Sequence, residues 1–256
     1  MLIIMAIHKE TIEINKNNFK NRKNLMLSKL RAAIRSSEVD VDILPHLDII
    51  NSMPFCFTTS SCSGRIAIID APLLGPKYES TKAFRWHSTV DITHVWAAIS
   101  EYLPRHILWL KFDSFIISFS TYSIRWATFF IRLARYINLK DSGIRSINPK
   151  AGYINLDFMS TEKLSIPVKS KGKLLISYES LVHVINIANF LMKKNRIKLD
   201  MLKECLEITL QHAKIHEYPP NLSLFDQVLQ EYRKKLSTLK NDPTFIDYEE
   251  TYISSK

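Results

Sequence analysis

Apolar positions recur along this chain at two periods, and the switches between them lay out its elements. Over residues 15–36, Phe19, Leu25, Met26, Leu30, Ala33 and Ile34 form a stripe near helical period. The remaining positions include Lys16, Lys20, Arg22, Lys23, Lys29, Arg31 and Arg35, so a basic amphipathic helix is expected. A second helix is predicted over 41–52 and is ended by Pro54. Two apolar runs follow, Phe55-Cys56-Phe57 and Ile66-Ala67-Ile68-Ile69, with a polar stretch between them. They read as a strand, a short connection and a second strand. Pro72, Gly75 and Pro76 mark a loop over 71–83, and a strand is expected over 84–88. The pattern then gives a helix over 91–102, strands over 107–111 and 115–120, and a helix over 123–137. Strands are predicted over 143–146, 153–158 and 164–168, with a short one over 173–177. A helical stretch runs from Tyr178 to about His216, with a break near Asn195, and Pro219-Pro220 stops it. A charged helix is expected over 221–240, followed by a poorly ordered end from Asp242.

Strands alternating with helices argue for a layered α/β (α+β) domain. The expected architecture is a mixed β-sheet flanked by helices over 1–216, including the N-terminal helices. A helical, partly disordered tail is expected over 217–256. The chain has 256 residues, 46% of them apolar, enough for a substantial core. Its formal charge of +10 points to a polyanionic partner, most economically nucleic acid, where cations gain affinity by releasing condensed counterions. An indifferent basic surface is the plainer reading. The three cysteines, Cys56, Cys62 and Cys205, build no disulfide framework and match no zinc spacing, which suits a reducing compartment. The apolar segment 1–7 lacks a basic leader and a cleavage site, and it is too short to span a bilayer. A cytoplasmic protein without a membrane anchor is expected.

The five glycines form no G-x-G, so the phosphate-binding turn of a Rossmann fold is absent. Between the two strands at 55–57 and 66–69 lies Thr58-Thr59-Ser60-Ser61-Cys62-Ser63-Gly64-Arg65. Such a segment can aim N–H groups and hydroxyls at one anion. It can equally be a turn whose hydroxyls satisfy its own backbone. His212 and His216 stand four apart on a helix but lack a third ligand and an adjacent glutamate, so no metal site is read there. The serines form no nucleophile elbow, which leaves a hydrolase reading with little support.

The run TTSSCSGRI resembles the signature of the tRNA 4-demethylwyosine methyltransferases, the third enzyme of wybutosine biosynthesis. The resemblance begins near Phe19 and passes through Lys29-Leu30 and Val39-Asp40 to the signature. It continues through Trp86-His87, Leu110-Lys111-Phe112, Asp141-Ser142-Gly143-Ile144 and Lys171-Gly172-Lys173-Leu174 to Ala188-Asn189. It implies methyl transfer from S-adenosyl-L-methionine to a ring nitrogen of a tricyclic guanosine derivative beside the anticodon of phenylalanine tRNA. The donor methyl is already activated on a sulfonium, so the enzyme chiefly has to position it and accept a proton. No metal is required.

On this resemblance, Ser60, Ser61, Ser63, Gly64, Arg65, Trp86, Ser142 and Gly143 are expected to hold the cofactor. His87, Ser61 and Arg65 are expected at the chemistry. Lys111, Lys173 and the helical arginines Arg125, Arg132 and Arg135 are expected to meet the tRNA. Trp86 and His87 alternate along a strand and are expected on opposite faces. Cys62 is expected to be a packed residue. Relatives carry a histidine where this chain has Ser118. Each position also has a plainer reading: a turn at Ser142-Gly143 and Lys171-Gly172-Lys173, a solvated lysine at Lys111, a solvated basic face for the arginines. The rival overall reading is a basic RNA-binding protein without catalysis.

Overall fold

The computed structural model describes residues 16–73, 80–148, 150–215, 220 and 222–239. The readings made for residues 1–7, for Gly75 and Pro76, for His216 and Pro219, and for the end from Asp242 fall outside them. Helix α1 spans Lys16–Arg35; a short 3-10 turn, Val41–Ile43, leads into α2, Leu44–Ser52. Then come β1 Cys56–Cys62, β2 Arg65–Ala71, β3 Thr81–Trp86, α3 Ile92–Glu101, β4 Ile107–Asp113 and β5 Ile116–Thr121. Helix α4, Ile124–Tyr136, precedes β6 Gly143–Asn148, β7 Tyr153–Met159, β8 Lys163–Ser170 and β9 Lys173–Leu174. Helices α5, Tyr178–Ile215, and α6, Leu222–Leu239, complete the described chain.

The α/β class is the expected one, without a Rossmann arrangement. The strands divide between two sheets, ordered β1-β5-β7-β6 and β3-β2-β4-β8-β9, and every ladder in them is antiparallel. Each sheet covers its own core. Ile117, Phe119, Leu156 and Phe158 of the four-stranded sheet pack with Trp126, Phe130 and Leu133 of α4, and with residues of α2, α5 and α6. Ile66, Ile68, Leu108, Leu110 and Phe112 of the five-stranded sheet pack with Val95 and Ile99 of α3 and with the first half of α5. Near 25 cal/mol per Å² of apolar surface, these two cores supply most of the drive to fold.

The chain crosses between the sheets three times: β1 to β2 through Ser63-Gly64, β4 to β5 through Ser114-Phe115, and β7 to β8 through residues 160–162. Helix α5 lies across all three crossings. Leu181, Ile185, Ala188 and Met192 enter one core, and Leu199, Leu202, Cys205 and Leu206 enter the other. Between these groups, where a break is expected, the helix is continuous and Asn195 is fully buried. Its carboxamide accepts from Phe115 N (2.7 Å) and donates to Ser63 O (2.8 Å), closing two of the crossings. One turn on, Lys198 donates to Ser160 Oγ (2.8 Å) and to the Glu162 carboxylate at the third. Asn195 reads as a helix breaker by propensity, but here its side chain pairs two buried backbone groups of the crossings.

Candidate functional site

The signature enters the structure mainly as strand. Cys56–Cys62 is one continuous β1, antiparallel to β5, and only Ser63-Gly64 connects it to β2. The expected longer connection is shorter because β5 offers ladder partners as far as the Cys62–Ile116 pair. β-Branched and small hydroxyl residues fit such a pleated ladder. Gly64 is required at the turn. Its φ is +94°, and a Cβ there would stand 2.6 Å from Asn195 Nδ2.

The turn is tied to three other segments. Ser63 N donates to Asp40 Oδ2 at 2.8 Å. His87, one residue beyond β3, brings Nδ1 to 3.1 Å from Gly64 O and 3.3 Å from Asp40 Oδ2. Both neighbours are acceptors, so Nδ1 carries the proton, and in the neutral ring Nε2 keeps its lone pair. Arg196 of α5 donates to His87 O and, at 3.4 Å, to Ser63 O, and it pairs with Asp42 Oδ2 at 2.7 Å. Asp40, Cys62 and His87 place carboxylate, thiol and imidazole atoms within 4.8 Å of one another. Burial pushes the Cys62 thiol up, against a hydrogen bond from the Gly64 backbone and the Arg65 charge. Cys62 is therefore a protonated packing residue. The Asp40 carboxylate and His87 Nδ1 already satisfy each other and the turn backbone.

The predicted residues separate into groups. Ser60 is exposed opposite Ser118, while Ser61 pairs with Ile117 and so shares its core-side face. Ser63 is sealed from solvent and its hydroxyl has no partner. Arg65 reaches toward Asp113, Nε to Oδ2 3.5 Å. Trp86 packs against the second core with its ring parallel to Phe84. Ser142 is buried and spends its hydroxyl on the Met159 backbone, donating to O (3.3 Å) and accepting from N (3.0 Å). A Cβ on Gly143 would meet open space. Ser142 closes a turn from Leu139, and Gly143 opens the edge strand β6 of the four-stranded sheet.

Lys111 projects from the middle of β4, whereas Lys173 lies on β9, at the other end of the five-stranded sheet from Arg65. Arg125, Arg132 and Arg135 ride on α4, which packs on the core face of the four-stranded sheet. Ser60 projects from the opposite face. Arg125 and Arg132 instead line a cleft of about 220 Å³ with Phe129 and Phe225, the Arg132 guanidinium lying 3.9 Å from the Phe225 ring centre. His212 faces Glu231 of α6 at 3.0 Å.

Three residues at the site carry no assigned role in the sequence reading: Asp40, Asn195 and Arg196. The signal for Asn195 is its place in the apolar stripe of α5, between Ala188, Met192 and Leu199. A polar residue there must find partners.

The family model Methyltransferase TYW3 matches residues 21–208, which span the turn, Asp40, His87, Asn195 and Arg196. The chain is 34% identical over 187 residues to a protein of Thermococcus sibiricus named tRNA(Phe) 7-((3-amino-3-carboxypropyl)-4-demethylwyosine(37)-N(4))-methyltransferase, covering 73% of this chain and 93% of the relative. A Pyrococcus furiosus protein of the same name, numbered 1, is 33% identical over 190 residues, covering 74% and 95%. Among solved structures, the PH1069 protein of Pyrococcus horikoshii superposes with a TM-score of 0.70 at 32% identity, over 75% of this chain and 97% of that one. A hypothetical protein of Aeropyrum pernix superposes at 0.58 with 25% identity, over 66% and 97%. Among the described residues no helix is long and apolar enough to cross a membrane.

Proposed function

The chain belongs to the TYW3 methyltransferase family, and on that premise we propose that it methylates a ring nitrogen of the 4-demethylwyosine-type base at position 37 of phenylalanine tRNA, with S-adenosylmethionine as donor. The observation that carries this reading is the family match itself, which runs unbroken through the turn and every segment tied to it. The rival reading, RNA binding without catalysis, is not favoured, because the relatives bear the names of methyltransferases.

The accessible donors at the turn suit the cofactor's carboxylate and ribose. Ser60 offers an exposed hydroxyl, and Arg65 a guanidinium held by one 3.5 Å contact to Asp113. Ser63 is walled off and supports the turn from behind. Bound S-adenosylmethionine supplies an electrophilic methyl on a sulfonium. Transfer forms a nitrogen–carbon bond and returns the sulfur–carbon pair to a neutral thioether. The acceptor nitrogen sheds its proton, and we assign its uptake to His87 Nε2. Asp40 and the Gly64 carbonyl hold the ring through Nδ1, which fixes the tautomer and leaves the lone pair on Nε2. General-base assistance of this kind contributes roughly 10²–10⁴-fold.

The test is transfer of labelled methyl to phenylalanine tRNA bearing the unmethylated tricyclic base, with unmodified and fully modified tRNA as controls. Label confined to the tricyclic nucleoside is the expected result. Tight tRNA binding without label would overturn the reading. In the same assay His87→Asn should lower kcat by about 10²-fold or more with little change in KM for tRNA. Unchanged turnover would move the proton acceptor elsewhere.

A further inference from the structure

The helices α3 and α5 cover one face of the five-stranded sheet. Its other face has a composition that the catalytic site does not account for. Strand register lays its positions in rows. Arg65 stands beside Asp113 and Lys163; Arg85 beside Ala67, Lys111 and Ser165; Lys82 beside Ile69, Trp109 and Pro167. The alternate residues, Ile66, Ile68, Leu108, Leu110, Phe112 and Val168, point into the core, which fixes the outward direction of the others. Five cations on β2, β3, β4 and β8 therefore share one face, where these strands turn outward one carboxylate, Asp113; Asp113 lies beside Arg65, and Asp141 from the turn before β6 pairs with Lys163 at 2.9 Å. Lys82, Arg85 and Lys163 are exposed, and Lys111 and Trp109 are half-buried.

Lysine on an edge strand usually serves to block sheet extension. Lys111 does not fit that use, because β4 is flanked by β2 and β8. Its ammonium lies 5.8 Å from the Trp109 ring centre, and the Trp109 indole N–H donates to Ala71 O at 3.2 Å, which holds the ring in place. A flat cationic surface with a fixed aromatic plate is the composition that tracks a polynucleotide backbone and its bases. The surface is also continuous with the site: its Arg65 row starts at the Ser63-Gly64 turn.

We propose that this outer face of the five-stranded sheet is the tRNA docking surface, with Arg85 and Lys111 at its centre binding the sugar–phosphate backbone that leads into the turn. The proposal rests on the tRNA reading given above, and it assigns the contacts to this sheet face.

The test compares Arg85→Glu/Lys111→Glu with Lys150→Glu/Lys193→Glu, which makes the same change in net charge at exposed positions away from the face. Equilibrium binding to phenylalanine tRNA is measured across a salt series, with folding checked by thermal melting and methyl transfer assayed in parallel. The expected result is at least a tenfold loss of affinity for the first pair, and a log–log salt slope shallower by about two. The second pair should lose much less. Equal losses for both pairs would reduce the effect to net charge and overturn the docking surface, as would wild-type binding by the first pair. Failure of the wild type to transfer label would refute the function and leave the binding comparison to judge the surface.

Discussion

Gly64→Ala tests whether the turn is held by its fit against α5. The substitution meets two separate obstacles. At φ +94° an L-residue is strained, by about 1–2 kcal/mol on the scale of left-handed backbone. The new methyl would also stand 2.6 Å from Asn195 Nδ2, so the amide must move. It cannot move freely, because Nδ2 donates to Ser63 O at 2.8 Å and Oδ1 accepts from Phe115 N at 2.7 Å, both buried. Losing one of these bonds leaves a buried group unpaired, at about 1–3 kcal/mol. The sum is about 2–5 kcal/mol, a large part of the roughly 5–15 kcal/mol that holds a typical domain. Urea unfolding, followed by circular dichroism, reads it directly. The decisive comparison is the double variant Gly64→Ala/Asn195→Ala. Removing the carboxamide removes the clash, so the double variant should be less destabilised than the sum of the singles by about 1–3 kcal/mol. Additivity within about 0.5 kcal/mol, or a Gly64→Ala protein within about 0.5 kcal/mol of wild type, would refute the account.

Other tests address separate parts of the fold. Burial alone would raise the Glu162 carboxyl, but Lys198, Ser160 and Lys194 outweigh it and hold it at about 2, below its ordinary 4.5. Its contribution to stability is thus complete above about pH 4.5 and fades as the pH falls through 2. The stability gap between wild type and Glu162→Gln should close over that window, and a constant gap would contradict it. Lys169 is buried on β8 and donates to the carbonyls of Ile99, Ser100 and Tyr102 at 3.0, 2.8 and 2.8 Å, capping the end of α3. Lys169→Met should cost about 2–4 kcal/mol in urea unfolding; a change below about 0.5 kcal/mol would deny the cap. Burial pushes the thiols of Cys56 and Cys205 far above the usual range and raises Cys62 as well. Iodoacetamide near neutral pH should therefore label the native protein far more slowly than the unfolded chain. Rapid modification of Cys62 in the native protein would contradict this.

Periodicity located the elements well wherever the pattern was long. The helix expected over 15–36 is Lys16–Arg35, that over 123–137 is Ile124–Tyr136, and the strand over 153–158 is Tyr153–Met159. The partition of strands between two sheets was not legible, because it depends on connections of two or three residues such as Ser63-Gly64 and Ser114-Phe115. An ordinary hairpin has connections of the same length. The candidate site was legible in part. His87 and the signature lie together as the family resemblance implied. The orienting group, Asp40, lies 47 positions from His87 in sequence, and no local rule links them. The α4 arginines do lie on one helix, where Arg125 and Arg132 share a cleft, but a helix pattern does not say which side of a sheet it will cover. The cationic rows on the five-stranded sheet were invisible for the converse reason: Arg85, Lys111 and Lys163 are far apart along the chain and meet only through strand register.

The crossings beneath α5 have a consequence for how this chain is made. The four-stranded sheet takes β1, β5, β6 and β7, and the five-stranded sheet takes β2, β3, β4, β8 and β9. Neither sheet is a contiguous stretch of sequence, so no early half of a nascent chain can complete either sheet, although β2, β3 and β4 can pair among themselves. The N-terminal strand must wait for residue 116 and beyond before it has a ladder, and the crossings stay unlocked until Asn195 and Lys198 emerge from the ribosome. Pairing over such separations is slow. During that interval β1, with the signature residues, is an unpaired edge exposed to whatever assists folding in the cell.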